Sequence, residues 1–224
     1  MADYNKLLQG IAAVLFDLDG TLVDSNEAHA RAWVEVFAEN GYELDLFLVK
    51  SLIGMGGDRL VRRAIGETSE EEIERLDKRR SEVFRQKYLQ DVYPFDKANE
   101  LIVLLKERGL VVLLATAAGR EDRDALLARG DLEGQFHGGA DSDKVENSKP
   151  APDTLLACLQ DHELEPAQCL LVGDTPYDGH AAYEAGMRFL AVETGGWTAE
   201  HLKTAELVVP SVAAIYRALS ANPV

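Results

Sequence analysis

The stretch that most constrains the fold is IAAVLFDLDGT, residues 11–21. Six apolar residues, Ile11 to Phe16, run straight into Asp17, Leu18, Asp19 and Gly20. A short, mostly β-type run closed by a turn signal predicts a strand buried on both faces, as parallel sheets require. Three further runs share this form: LVVLLAT at 110–116, CLLVG at 169–173 and RFLAVE at 188–193. Each is followed by a turn signal and then a helical pattern. Strands alternating with helices predict an α/β fold built on a doubly wound parallel sheet. Ligands of such sheets sit beyond the carboxyl ends of the strands.

One region breaks the alternation. Between Asp24 and Asp91 only helical signals occur: EAHARAWVEVFAENG, GGDRLVRRAIG and TSEEEIERLDKRRSEVFRQKYL. The last opens on Ser69 and Glu72, spaced as a capping box. Its apolar residues Ile73, Leu76, Val83, Phe84 and Tyr88 recur at helical spacing. The predicted organisation is a core of residues 1–23 and 92–224 with a helical lid, residues 24–91, inserted after the first strand.

At 224 residues and 46% hydrophobic content, the chain suffices for one domain with such an insertion. No window of eighteen uncharged apolar residues occurs, so no membrane partner is expected. The opening MADYNKLLQG carries Asp3 and lacks the basic region and cleavage site of a signal peptide. Cys158 and Cys169 are the only cysteines and stand in apolar contexts, as packed thiols of a reducing compartment do. A cytoplasmic protein is expected. The net charge of −16 repels phosphate backbones, which excludes nucleic acid as a natural partner. No segment outside the expected cores is conspicuously apolar, so a monomer is expected, with a dimer as the alternative.

Chemistry gathers at the strand ends. Asp17, Asp19 and Thr21 follow the first run, Thr116 and Ala117 the second, and Asp174 and Asp178, in GDTPYD, the third. Lys149 stands in NSKPAPD just before the third. Residues i and i+2 of extended chain face one side, so Asp17 and Asp19 can converge while Leu18 points inward. Gly20 permits the sharp turn. A hard divalent cation, magnesium above all, would neutralise Asp17 and Asp174. Asp17 would then stay ionised as a nucleophile toward a phosphoryl group, and Asp19 could remain protonated as general acid and then base. Lys149, the Thr116 hydroxyl and the amides at 117 and 118, opening a helix, would cradle the phosphate. Plain structural readings stand beside these. Thr175 to Asp178 forms a helix start with Pro176 at its first position, Asp153 can cap the helix beginning there, and Asp24-Ser25 can cap the helix after the first strand.

The ordered set FDLDGT, Thr116, SKPAPD and VGDTPYD resembles the four motifs of the haloacid dehalogenase-like hydrolase superfamily, over nearly the whole chain. The resemblance implies a Rossmann-like core, a helical cap and magnesium-dependent phosphoryl transfer through an aspartyl-phosphate. Asp17 would be the nucleophile and Asp19 the acid/base. The metal would be held by the Asp17 carboxylate, the Asp19 backbone carbonyl and the Asp174 carboxylate. Thr116, Ala117 and Lys149 would bind phosphate, with Asp178 supporting Lys149 or the metal's waters and Thr21 supporting the first motif. DGTLVDSN and GDTPYD look like the phosphoglycolate phosphatase branch. His29 and Trp33 are shared with the β-phosphoglucomutase branch, which carries a lysine and an arginine where this chain has Ile53 and Gly57.

In the cap, Gly54 to Gly57 would form the specificity loop. Arg59 is a candidate for a second anionic group, or simply lies on a solvated helix face. His29 either meets the substrate or packs under the cap. The expected activity is hydrolysis of a small phosphorylated metabolite. A sugar phosphomutase and a catalytically silent binding protein on the same fold are the alternatives.

Overall fold

Parallel pairing sets the architecture. The computed structural model describes residues 7–221. The residues preceding Leu7 lie outside this span, and with them most of the segment read above for a signal peptide. In chain order the strands are β1 (Ala13–Phe16), β2 (Val23–Asp24), β3 (Tyr93–Pro94), β4 (Val111–Ala115), β5 (Gly138–Ala140), β6 (Cys169–Gly173), β7 (Arg188–Val192) and β8 (Leu207–Val209). Six of them form one sheet in the order β5-β4-β1-β6-β7-β8, every neighbouring pair parallel. The four predicted runs are its inner strands β4, β1, β6 and β7.

Side chains of β1 divide between the faces as the period of two requires. Val14 and Phe16 pack with Leu170, Val172, Leu190 and Val192 in one cluster, and Ala13 and Leu15 with Leu113, Leu171 and Phe189 in another. Both faces need covering. Helices α5 (Ala98–Glu107) and α9 (Val212–Ser220) bury Leu101, Leu105, Ile215 and Leu219 on the first face. Helices α7 (Asp153–Asp161) and α8 (Pro176–Glu184) bury Leu155, Cys158, Ala181 and Ala182 on the second. This is the doubly wound arrangement.

Residues 26–91 are helical: α1 (Asn26–Glu39), α2 (Leu46–Lys50), α3 (Gly57–Ile65) and α4 (Glu70–Val83), then a π-helical turn, Phe84–Tyr88, and a 3-10 turn, Leu89–Asp91. In α1 the buried residues Asn26, His29, Ala30, Trp33, Val36 and Phe37 follow the helical period. The Ser69 hydroxyl accepts from the Glu72 amide and starts α4, with Glu70, Glu71 and Glu72 in the favourable first turn. This block enters and leaves through a ribbon in which Val23 and Asp24 of β2 pair antiparallel with Pro94 and Tyr93 of β3. Leu18 and Leu22 carry the first core cluster past the end of β1 to Trp33, Phe37, Leu60, Leu76 and Phe84.

A buried ion cluster also joins the block to the sheet layer. Asp122, in α6 (Arg120–Arg129), accepts from Arg80 Nη1 at 2.5 Å, the Ser81 hydroxyl at 2.5 Å and Arg85 Nη1 at 2.8 Å. Burial alone would raise the Asp122 carboxyl; Arg80 foremost, then His29 and Ser81, hold it below the usual carboxylate value.

Two expected caps differ. Ser25 occupies the N-cap position of α1 without capping it, and its hydroxyl donates to Asp19 instead. Asp153 is the first residue of α7 rather than its cap, and accepts from Asn147 at 2.9 Å. Both cysteines are free and buried, and burial pushes their thiols up to about 11. No helix among the described residues is long and apolar enough to cross a membrane.

Two stability measurements test this account. Phe16 is fully buried whereas Phe47 is 81% exposed. In urea denaturation Phe16→Ala should lose about 3–5 kcal/mol, and Phe47→Ala about 0.5 kcal/mol or less. Asp122→Asn should cost about 3 kcal/mol at neutral pH, because it removes the buried anion that Arg80 and Arg85 share and leaves Arg80 only Asp77. A carboxyl held low in the folded state stabilises above its ordinary value of 3.8 and loses that contribution as the pH falls through its lower folded value. The stability difference between wild type and Asp122→Asn should therefore shrink toward zero on acidification past that range.

Candidate active site

The strand register assembles the site. Phe16 of β1 is level with Leu114 of β4 and Val172 of β6. Asp17, Thr116 and Asp174 therefore emerge from three adjacent strands at one edge of the sheet. Lys149, from the loop before α7, is fully buried among them. Its ammonium donates to Asp17 Oδ1 at 2.6 Å, Asp178 Oδ1 at 2.7 Å and the Ala115 carbonyl at 2.9 Å. An ammonium has three protons, so all are committed.

Asp178 is both a structural and a site residue. With Thr175 it forms the predicted capping box of α8: the Thr175 hydroxyl accepts from the Asp178 amide, and Asp178 Oδ2 accepts from the Thr175 amide at 3.0 Å. Its other oxygen faces Lys149. Both contacts coexist because a carboxylate has two oxygens.

Charge does not balance here. Ligand atoms of Asp17, Asp174 and Asp178 all lie within 4.8 Å of one another, and all three residues are buried. Among the described residues Lys149 is the one ammonium beside them. Burial raises the Asp17 carboxyl to about 7 against the pull of Lys149, with Asp178 and Asp19 adding to the rise. Burial, then Asp17 and Asp178, push Asp174 well above the usual range. The donors are carboxylate oxygens, the set that a hard divalent cation such as magnesium prefers. Such a cation would supply the positive charge the cluster lacks, so the residues fit it.

Supporting contacts orient Asp174. The Thr21 hydroxyl donates to its Oδ1 at 2.9 Å, and the Asn26 amide donates to its Oδ2 at 3.1 Å. Gly20, at φ +75°, brings the backbone so close that a Cβ there would lie 2.3 Å from Asp174 Oδ2. Only glycine satisfies both conditions.

Asp19 departs from expectation. It shares no partner with Asp17, and its Oδ1 accepts from the Ser25 hydroxyl at 2.5 Å and contacts His29 Nε2 at 2.9 Å. Burial would raise its carboxyl, but His29 and these hydrogen bonds hold it below the usual value. Its side chain also stands outside the three-carboxylate cluster, leaving only its backbone carbonyl for a metal.

The Thr116 region is corrected too. The helix after β4 begins at Arg120, not at Ala117, and the Thr116 hydroxyl accepts from the Ala118 amide at 3.1 Å. Of the two amides expected to meet phosphate, that of Ala118 is thus engaged, and that of Ala117 is the one remaining.

His29, on α1 of the helical block, stacks on Phe84 at 3.9 Å and contacts Asp19. Its Nδ1 lies 3.5 Å from Arg80 Nη1. Gly54 lies against Thr175 and Gly57 against Asp77. Arg59 is half-buried on the first turn of α3 and makes no ion pair among the described residues. Sequence reasoning missed Ser25, Asn26, Arg80 and Asp122. Their signal was faint: each is a polar residue at a buried position of an amphipathic helix or its cap, visible only once the register of that helix is known.

Comparison with known proteins follows from this geometry. Residues 14–192 match the family described as haloacid dehalogenase-like hydrolase. The chain is 31% identical over 182 residues to fructose-1-phosphate phosphatase YqaB of Escherichia coli (strain K12), covering 79% of this chain and 93% of that protein. It is 31% identical over 191 residues to a phosphoglycolate phosphatase of Nitrosospira multiformis, covering 83% and 84%. A putative β-phosphoglucomutase from Bacteroides vulgatus superposes with a TM-score of 0.80 at 27% identity, over 92% of this chain and 86% of that one. A hydrolase from Pseudomonas syringae shares the fold with a TM-score of 0.87 at 24% identity, over 95% and 100%. The chain belongs to the haloacid dehalogenase-like hydrolase family.

Proposed function

We propose that the protein is a magnesium-dependent phosphatase that hydrolyses a small phosphorylated metabolite, like phosphoglycolate or a sugar phosphate, through an aspartyl-phosphate on Asp17. The observation that carries this reading is the buried cluster at the strand ends, where three carboxylates face a single ammonium. A cluster so short of positive charge is costly as structure and useful as a cation site. The phosphatases among the chain's relatives support the same reading.

Asp17, Asp174 and the Asp19 backbone carbonyl would hold Mg2+, which when bound supplies charge that keeps Asp17 ionised and draws charge from the phosphoryl oxygens. The protein's own residues do the rest. Lys149 has no spare proton, so it meets a phosphoryl oxygen only by releasing a partner. Asp17 is the partner to release, because it needs a free oxygen to attack. Asp178 and the Ala115 carbonyl then keep Lys149 in place. The Ala117 amide and Thr116 border the phosphate. Attack by Asp17 forms the O–P bond as the ester oxygen leaves. Asp19, positioned by the Ser25 hydroxyl and His29, donates a proton to the leaving oxygen. In the second half Asp19 takes a proton from the attacking water, and phosphate departs from Asp17.

Residues 24–91 serve as the cap in this reading, entering and leaving the core at the β2–β3 ribbon. A mutase must bind a second phosphate in this cap. The positions that carry lysine and arginine in the mutase branch are Ile53 and Gly57 here, which favours hydrolysis.

Turnover of an aryl phosphate with Mg2+ should be lost, by about 10^4-fold or more, in Asp17→Asn. That variant should denature at the same or higher urea concentration than wild type, because it removes a charge from an over-acidic cluster. Retained turnover would refute the covalent route. Asp19→Asn should slow alkyl phosphates by about 10^2–10^4-fold and aryl phosphates less, since a good leaving group needs no proton. Adding Mg2+ should raise the melting temperature of wild type, as a ligand of the folded state does. The rise should be much smaller in Asp174→Asn, and a chelator should abolish turnover.

A further inference from the structure

The ion cluster around Asp122 reaches further than the joint it makes between the helical block and the sheet layer. Asp122 lies in the core, on α6, and its side chain is buried. Its Oδ2 accepts from Arg80 Nη1 at 2.5 Å. The same Arg80 nitrogen lies 3.5 Å from His29 Nδ1, and His29 Nε2 lies 2.9 Å from Asp19 Oδ1. Four side chains thus lead from α6 through the helical block to the residue proposed as acid/base. The guanidinium is held on two further sides. Arg80 Nη2 donates to Asp77 Oδ1 at 2.6 Å, and Cζ lies 5.3 Å from the Trp33 ring centroid. Asp77 belongs to α4, the helix of Arg80 itself. Of the two carboxylates, Asp122 is the one that refers Arg80 to the core.

This placement decides which nitrogen of His29 carries its proton. A guanidinium has donors only and keeps its charge. The His29 nitrogen that faces Arg80 is therefore the ring's acceptor, and Nε2 carries the proton aimed at Asp19. The other tautomer would set an N–H against a cation and leave Asp19 facing a lone pair. The ring is buried and stacked on Phe84 at 3.9 Å, which fixes its plane. At Asp19 the two contacts fall on one atom. The Ser25 hydroxyl and His29 Nε2 both meet Oδ1, and among the described residues Oδ2 takes no hydrogen bond. Oδ2 is thus the oxygen left for proton exchange.

We propose that Asp122 is a positioning residue for Asp19. Through Arg80 Nη1 it fixes His29 with its proton on Nε2. His29 and Ser25 then hold Asp19 by Oδ1, and Oδ2 passes its proton to the ester oxygen of the departing group as the P–O bond breaks. Without the Asp122 carboxylate, the charged partner left to Arg80 is Asp77, on its own helix, and Nη1 loses the anion that keeps it beside His29. The catalytic consequence rests on the phosphatase reading; the state of the His29 ring does not.

The test pairs kinetics with spectroscopy. With Mg2+, Asp122→Asn should lower kcat for an alkyl phosphate about tenfold and for an aryl phosphate about twofold or less, since only the poor leaving group needs the proton. KM should change little for either. Arg80→Met should give the same split and serves if Asp122→Asn does not fold. Arg85→Gln is the control: Arg85 also donates to Asp122, at 2.8 Å, yet makes no contact with His29 among the described residues. It should move both esters by the same factor, as loosened seating of the block would. Imidazole nitrogen NMR of isotope-labelled wild type should show the His29 proton on Nε2, and Asp122→Asn should show a mixture of tautomers. A wild-type proton on Nδ1 overturns the proposal. So does an equal fall for both esters in an Asp122→Asn or Arg80→Met protein that still melts cooperatively, or the same split in Arg85→Gln. If wild type hydrolyses neither ester, the phosphatase reading fails, and the His29 spectra alone decide whether Asp122 sets the ring.

Discussion

The site depends on one buried ammonium. Lys149 binds Asp17, Asp178 and the Ala115 carbonyl at once, and so ties together β1, the start of α8 and the end of β4. Among the described residues no other cation neutralises these carboxylates. The protein places them at the carboxyl ends of adjacent parallel strands, where the sheet supplies fixed positions and the core excludes water. A stable protein without further function would have little reason to keep such a group. Replacing buried ion clusters with apolar residues is often neutral or stabilising. Keeping one that is short of positive charge makes sense where a cation and a phosphate complete it.

The second level is the division of labour between Asp17 and Asp19. They are two residues apart, yet Gly20 turns the chain and α1 begins at Asn26, so each is captured by different partners. Asp17 faces the sheet edge and Lys149. Asp19 faces Ser25 and His29 at the start of the helical block. The environments push the two carboxyls in opposite directions, Asp17 up to about 7 and Asp19 below its ordinary value. Separated carboxyls are what acid/base chemistry from a single residue type needs.

What the sequence made legible follows from physical scale. The four inner strands were readable because burial on both faces leaves unbroken apolar runs. The strands β5 and β8 were not, since three residues such as Gly138 to Ala140 carry no pattern, and edge position relaxes the need for one. The ribbon of β2 and β3 was hidden for the same reason, although the expected domain boundaries fall beside it. Asp17, Lys149, Asp174 and Asp178 stood out as polar residues placed immediately after or before apolar runs. Ser25 was legible as a cap and turned out to serve Asp19, because a hydroxyl at a helix start has two acceptors to choose from and the carboxylate is the stronger. Arg80 and Asp122 are 42 residues apart and meet only through tertiary packing, which no local pattern encodes.

These hidden residues explain how the helical block can influence the chemistry. Asp122 lies on the helix after β4, close in sequence to Thr116, and accepts from three donors of the helical block. Arg80 passes from Asp122 to within 3.5 Å of His29, and His29 holds Asp19. The same guanidinium holds Asp77 against Gly57. A single buried arginine therefore links the seating of the block to the position of the proposed acid/base. Its terminal nitrogens reach Asp77 and Asp122, and its Nε–H has no partner among the described residues. The placement of Asp19 and the block's attachment are consequences of one set of hydrogen bonds, and a change that moves Arg80 must also loosen Asp122 or Asp77.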